Sequence, residues 1–288
     1  MKIVFFLLTF TSILFASIFH GDDRQDFHEI KDPKIKALSS SIPSLIQKVK
    51  LNKTQTGYEI KTKTLKDGFN FCADANFSNE YQLANCSASL IAEDLVLTAA
   101  HCLDPDPNDN FHPSKYVVAF DYKKTSSENI HFLPKENVYE IEDEMPLYIF
   151  DWNSMLDVAI IKLKRKVKNR KPIKLNLDHN YSVTTPLFVL GYPLGVTQKL
   201  TDDSEIIATE DQPNSFRHHL DTFSVNSGSA IFDATTFEII GVHVRGTGYN
   251  YHDYGRGCYD WLIGDPAKDY GEANMLSPLK DKIQEILN

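Results

Sequence analysis

Three short stretches of this chain carry side chains able to move a proton or attack a carbonyl. Thr98-Ala99-Ala100-His101-Cys102 offers an imidazole, Leu156-Asp157-Val158-Ala159-Ile160-Ile161 a carboxylate ahead of an apolar run, and Asn226-Ser227-Gly228-Ser229 a hydroxyl among small residues. A serine hydroxyl is a poor nucleophile by itself. Acyl transfer becomes possible when an imidazole accepts its proton and a buried carboxylate fixes the tautomer of that imidazole. Singly, each residue has a plainer reading: a satisfied buried histidine, a residue that opens a strand, one of many loop serines. All three together, on a chain built to present them, make the catalytic reading.

The elements that must hold these groups read as short strands. Tyr116 to Phe120, Val138 to Ile141, Val158 to Leu163, Pro186 to Leu190, Ala230 to Phe232 and Glu238 to Val244 are rich in β-branched and aromatic residues. Turn-prone stretches such as 104–109 and 191–195 separate them. Ser87 to Ile91 and Leu95 to Ala99 read as a hairpin ending beside His101. Only the end is helical by pattern: Ser277 as cap, Pro278 in the first turn, then Leu279, Ile283, Ile286 and Leu287 on one face. The expectation is an all-β barrel or sandwich with a C-terminal α-helix packed against it. No internal repeat is visible.

With 288 residues, 42% of them hydrophobic, the chain can bury a sizeable core, which excludes a disordered or mini-protein class. A formal charge of −9 argues against nucleic acid or an anionic membrane as partner. Lys2, the apolar run from Ile3 to Phe19 and the switch to charge at Gly21-Asp22-Asp23-Arg24 read as a signal peptide over residues 1–21, with an uncleaved anchor as the competing reading. Residues 22–60 are polar and read as an N-terminal arm or a propeptide, ahead of a catalytic domain over 61–288. Export makes the 4 cysteines a disulfide framework with three possible connectivities. A bridge from Cys86 to Cys102 would clamp the hairpin beside His101, and elimination then joins Cys72 to Cys258. Zinc is the competing use of these thiols, but the Cys-x-x-Cys spacing is absent. Asn52, Asn76, Asn85 and Asn180 open Asn-x-Ser/Thr sequons, to which no function is assigned.

At the three motifs the sequence resembles the chymotrypsin-like serine proteases, and among them the secreted bacterial branch that includes the glutamyl endopeptidases. Thr-Ala-Ala-His-Cys, Asp-Val-Ala-Ile-Ile and Asp-Thr-Phe-x-x-Asn-Ser-Gly-Ser occur in the family's order, and the stretches 191–195 and 240–246 also look like this branch. The resemblance implies two antiparallel six-stranded β-barrels, divided near residues 165–185, with the active site between them. It also implies His101 as general base, Asp157 as its orienting carboxylate and Ser227 as nucleophile, with no metal and no organic cofactor. A carboxylesterase of the α/β-hydrolase type fits poorly, since the Gly-x-Ser-x-Gly elbow and the Ser, Asp, His order are both missing.

Departures from the family pattern set the open questions. The resemblance builds the oxyanion hole from the N–H groups of Ser227 and of the residue two before it, normally glycine and here Val225. A β-branched residue resists the backbone conformation that glycine tolerates, so the peptide could flip and leave only the Ser227 N–H. Ser224 and Ala230 also replace a usual glycine and proline. Asn226 stands where the digestive enzymes hold an Asp that pairs with a new N-terminus, so activation by that ion pair is not expected. Thr222 and His243 match the glutamyl endopeptidase positions that hold a substrate carboxylate, whereas Asp221 matches the position that selects Lys or Arg. The resulting expectation is a secreted or periplasmic, monomeric serine endopeptidase acting on proteins or peptides, with a preference for acidic P1 residues. The alternative is an inactive or weak protease-fold binding protein, disabled at Val225.

Overall fold

A computed structural model of the chain describes residues 17–178, 181–209 and 214–288. The apolar run over residues 1–16 and the sequon at Asn180 lie outside the described residues. Among the described residues, no helix is long and apolar enough to cross a membrane.

Two β-barrels follow one another along the chain. The strands of the first are β1 Ser44–Gln47, β2 Cys86–Ser87, β3 Ser89–Leu90, β4 Leu95–Thr98, β5 Tyr116–Ala119, β6 Val138–Glu140, β7 Leu147–Asp151 and β8 Leu156–Lys162. They form two four-stranded antiparallel sheets, β6-β5-β1-β2 and β7-β8-β4-β3. The sheets meet at one side because β2 and β3 are nearly continuous, and at the other through an isolated bridge from Ile141 to Leu163. Every residue of β4 is buried, as are Asp157 to Ile161 of β8, which explains the nearly unbroken apolar run in both strands.

The second barrel comprises β9 Pro186–Gly191, β10 Lys199–Ala208, β11 Ser215–His218, β12 Ala230–Asp233, β13 Ile239–Gly246 and β14 Gly271–Met275. Its sheet closes on itself in the order β9-β12-β13-β14-β11-β10, with β10 also paired to β9. Counting β2 and β3 as one bent strand and β7 as an added hairpin arm, the first barrel has the same connectivity. The fold therefore repeats a topology that leaves no trace as sequence repetition, because strand pairing constrains residue class and not residue identity.

The N-terminal region is more integrated than its polar composition indicates. Ser44–Gln47, within the stretch expected as an N-terminal arm or propeptide, pairs with both β5 and β2 and is a strand of the first barrel. Ahead of it, Pro33–Ser39 forms a helix capped by Asp32, whose carboxylate accepts from Lys34 N–H at 2.7 Å. Gln25–Asp26 adds to the edge of β10. Asp26 is anchored by Lys199, whose Nζ lies 2.7 Å from Asp26 Oδ1 and 2.8 Å from Glu80 Oε2, an ion cluster paired closely enough to offset its desolvation. Further upstream, Ser17, Ile18 and Phe19 are buried on the second barrel: Ser17 N–H donates to Thr222 O and Ile18 N–H to Leu262 O.

At the other end, Lys280–Leu287 is helical and packs Ile283 into the core. The first turn differs from the expected Ser277 cap: Ser277–Leu279 is a short 3₁₀ turn that leads into the helix, and no side chain caps it. Both disulfides are formed, Cys86 with Cys102 and Cys72 with Cys258.

Candidate active site

His101 sits in a one-turn 3₁₀ helix, Ala100–Cys102, immediately after β4. The disulfide from Cys102 to Cys86 ties this turn to β2. The sulfurs that approach His101 are those of this bridge, so no thiolate is there to hold a metal. Asp157 is the second residue of β8, and both its oxygens face His101. Oδ2 lies 2.5 Å from His101 Nδ1, and Oδ1 accepts the His101 backbone N–H at 2.9 Å. The ring is thus held by its own main chain as well as by its nitrogen. Asp157 N–H in turn donates to Asn274 Oδ1 at 2.7 Å, which fastens a strand of the first barrel to β14 of the second.

Ser227 occupies the loop between β11 and β12, pressed against the first barrel: Ser87 N–H donates to Ser227 O at 2.8 Å. Two consecutive turns build the loop. Asn226 N–H returns to Phe223 O, and Ser229 N–H to Asn226 O, each at 2.8 Å. Positive φ at the third position marks both as type II, with Gly228 at +84° and Val225 at +75°. Gly228 meets that demand, and a Cβ there would lie 2.2 Å from both Ser87 O and Thr98 Oγ1. Val225 does not meet it, and a β-branched residue in this region is strained by roughly 1–3 kcal/mol.

That strain is maintained by contacts that decide where the Val225 N–H points. The Ser224 carbonyl accepts Leu194 N–H at 2.7 Å, away from the cleft. Across a trans peptide the carbonyl and the next N–H point in opposite directions, so the Val225 N–H faces the cleft. Neither the Val225 nor the Ser227 N–H has a partner among the described residues. The flipped peptide expected from the valine side chain is therefore not the conformation this loop adopts.

His101, Asp157, Val225 and Ser227 line one cleft of about 730 Å³ between the barrels, with Phe111, Phe150, Trp152 and Arg245 on its walls. Trp152 is 72% exposed, an unusual placement for so large an apolar ring. Among the described residues no hydrogen bond joins Ser227 Oγ to the imidazole. Such bonds are commonly long before substrate arrives.

The three specificity candidates lie off the cleft wall. Asp221 is buried, and its oxygens accept Phe19 N–H at 2.6 Å and Asp23 N–H at 3.4 Å. Burial pushes its carboxyl up to about 8, so at neutral pH it is a largely uncharged group facing the N-terminal segment. Thr222 is buried, and its hydroxyl makes no hydrogen bond among the described residues. His243 is buried and pushed down to about 3, chiefly by desolvation. Its Nδ1 lies 3.2 Å from Nε2 of His218, which burial also holds neutral.

Sequence reasoning missed Asn274, Ser87 and His218. None carries a local signal, since each becomes relevant only through a partner far away along the chain. The aromatic wall was also missed, although Phe150 and Trp152 stand seven and five residues before Asp157 in plain view.

Residues 86–242 match the trypsin-like peptidase domain. No curated protein matches the sequence. Among solved structures, the chain is similar to the VesB protease of Vibrio cholerae, with a TM-score of 0.53 at 18% identity over 92% of this chain and 68% of that one. It is also similar to a Glu endopeptidase, with a TM-score of 0.52 at 15% identity over 93% of this chain and 98% of that one. At these identities the likeness is one of fold.

Proposed function

The chain belongs to the trypsin-like peptidase family, and from that premise we propose that it is an active serine endopeptidase working through an acyl-enzyme. The observation that carries this reading is the pairing of His101 with Asp157 on the same cleft as Ser227, beside two unpartnered N–H groups. With Nδ1 committed to Asp157, Nε2 is the nitrogen left to act. Ser227 Oγ attacks the scissile carbonyl carbon as its proton passes to His101 Nε2, and the electron pair displaced onto oxygen is met by the Val225 and Ser227 N–H groups. His101 then gives the proton to the departing amine, the C–N bond breaks, and the acyl group remains as an ester on Ser227. Water repeats the sequence in the amine's place and frees the acid.

An acidic P1 preference follows from the tautomers of the buried histidines. Leu220 N–H donates to His218 Nδ1 at 3.2 Å, so the proton of neutral His218 is on Nε2. That proton points at His243 Nδ1, which must accept it, and neutral His243 therefore carries its own proton on Nε2. Among the described residues this Nε2–H has no partner, and neither has the Thr222 hydroxyl. Two unsatisfied donors suit a carboxylate that passes beyond the cleft wall to the strand behind the nucleophile turn, where Gly228 N–H donates to His243 O at 2.8 Å. Asp221 is unsuited to hold Lys or Arg, because its oxygens are engaged by Phe19 and Asp23.

Export completes the reading. The disulfides suit an oxidising compartment, and the seating of Ser17 to Phe19 against Thr222 and Asp221 supports removal of the leader after Ala16 and not at Gly21. The test is Ser227→Ala. It should abolish peptide cleavage and covalent labelling by a fluorophosphonate while leaving the thermal transition in place. Labelling that survives the substitution would refute Ser227 as nucleophile.

A further inference from the structure

We infer that Arg245 is a specificity-determining residue that selects an acidic side chain at a substrate position other than P1. The inference rests on the peptidase reading above and deepens it. Among the described residues lining the cleft, Arg245 is the only Lys or Arg. The two carboxylates on the same walls are already engaged. Both oxygens of Asp157 accept from His101, and Asp151 accepts Asn153 N–H at 3.0 Å and the Ser154 hydroxyl at 2.6 Å. The guanidinium is therefore the charged group outside the triad that the cleft offers to a substrate.

A bulge in β13 brings it there. The strand leaves β12 where Val242 pairs with Ala230, and His243 still exchanges main-chain hydrogen bonds with Ser229 and Gly228. Beyond His243, β14 is its only neighbour among the described residues. His243 and Arg245 pair with the adjacent Ala273 and Glu272, so Val244 is the extra residue, and such a bulge re-aims the side chains beside it. His243 stays buried, whereas the Arg245 side chain is 26% exposed on the cleft wall. Its donors are only partly committed. Nη2 donates to Met155 O at 2.6 Å, and Nε lies 3.3 Å from Glu272 Oε1 with no hydrogen bond on either atom. Nη1 has no partner among the described residues. Glu272 does not line the cleft, so it tempers the charge while leaving that nitrogen unbonded. A substrate carboxylate meets such a group in a charge-assisted hydrogen bond, which a carboxamide of the same shape makes only weakly. With His243 behind the wall and Arg245 on it, the two address different side chains of one substrate.

The test measures kcat/KM for paired peptides that carry Glu or Gln at each position from P4 to P2′. At one position besides P1 the wild-type chain should prefer Glu by about tenfold, the worth of one charge-assisted hydrogen bond. Arg245→Gln should bring that ratio below about twofold, whereas Arg245→Lys, a charge without the planar fork, should keep at least about threefold. If the guanidinium only braces the β7–β8 hairpin through Met155, Arg245→Gln slows the Glu and Gln peptides alike and the ratio stays, which would overturn the inference. Should Arg245→Gln fail to fold, the wild-type ratio is compared between about 0.05 M and about 0.5 M salt. It should fall at least threefold, because a charge in an open cleft is screened, and a ratio indifferent to salt would overturn the inference. So would a wild-type preference confined to P1. Each of these failures leaves the peptidase reading intact, since the Gln peptides are still cleaved. A wild-type chain that neither cleaves nor labels with a fluorophosphonate would end both.

Discussion

Replacing Asp157 by asparagine probes the best-determined contact of the site. Both oxygens of Asp157 accept from His101, one from the ring Nδ1 at 2.5 Å and the other from the backbone N–H at 2.9 Å. A carboxamide has a single acceptor. If its oxygen keeps the ring, its NH₂ meets the backbone N–H, donor against donor, at a cost of about 1–3 kcal/mol for an unsatisfied buried group. If its oxygen keeps the backbone, its NH₂ meets Nδ1, and the ring escapes the conflict by moving its own proton to Nε2. The backbone N–H is fixed, whereas the ring proton is free to move, so the second arrangement wins. His101 then presents a donor to Ser227 and cannot take its proton. The expected loss in kcat is on the order of 10⁴, or about 5 kcal/mol of barrier. The assay is kcat for an amide substrate, normalised to correctly folded enzyme by circular dichroism and thermal transition. A loss below about 30-fold in a folded variant would refute the claim that Asp157 governs the tautomer.

Three further predictions follow from the loop, the N-terminal segment and the buried histidines. Val225→Gly should change kcat/KM by less than about threefold, because the hole is already formed; a gain near 10²-fold would show that the resting loop is flipped. Asp221 is raised from its ordinary carboxylate range to about 8, so between about 4 and 8 the folded chain holds a proton the unfolded chain has lost. Its contribution to stability is therefore fully present in acid and declines as pH rises through that window, by up to about 1.4 kcal/mol per unit. Asp221→Asn should flatten this decline in calorimetric scans from pH 5 to 9, and an unchanged slope would contradict the assignment. His243→Leu removes the Nε2 donor and should lower kcat/KM for peptides with Glu at P1 by tenfold or more relative to those with Gln, by about the worth of one charge-assisted hydrogen bond; an unaltered Glu-to-Gln ratio would remove His243 from the specificity pocket.

How much of this was legible beforehand depended on whether the signal was local. The strands around His101 and Asp157 announced themselves, since a buried strand needs a continuous apolar run and both β4 and β8 have one. β1 did not, because Ser44–Gln47 is four residues long, set in a charged stretch, and becomes a strand only through β5 and β2 on either side. The short helix at Leu65–Phe69 was missed for the same reason, although Thr64 and Asp67 form a recognisable cap across its first turn. The segment 17–26 spans the end of the expected signal peptide and the start of the expected N-terminal arm or propeptide, and nothing nearby in sequence marks Thr222, Asp221 and Lys199 as its partners.

From its residues alone, the chain was committed to short strands, one terminal helix and three motifs able to perform acyl transfer, because residue type and spacing act over a few positions. Which way the Ser224–Val225 peptide faces was not decided there. Val225 by itself argues for a flipped turn, and the opposite outcome comes from Leu194, whose N–H holds the Ser224 carbonyl only once the chain has closed around the loop. The same holds for Asp221, whose charge is suppressed by burial, even though the Phe19 N–H about two hundred residues earlier in the chain donates to it. A backbone conformation that costs a side chain its preference, and a carboxyl that loses its charge, are both set by surroundings, and surroundings exist only after folding.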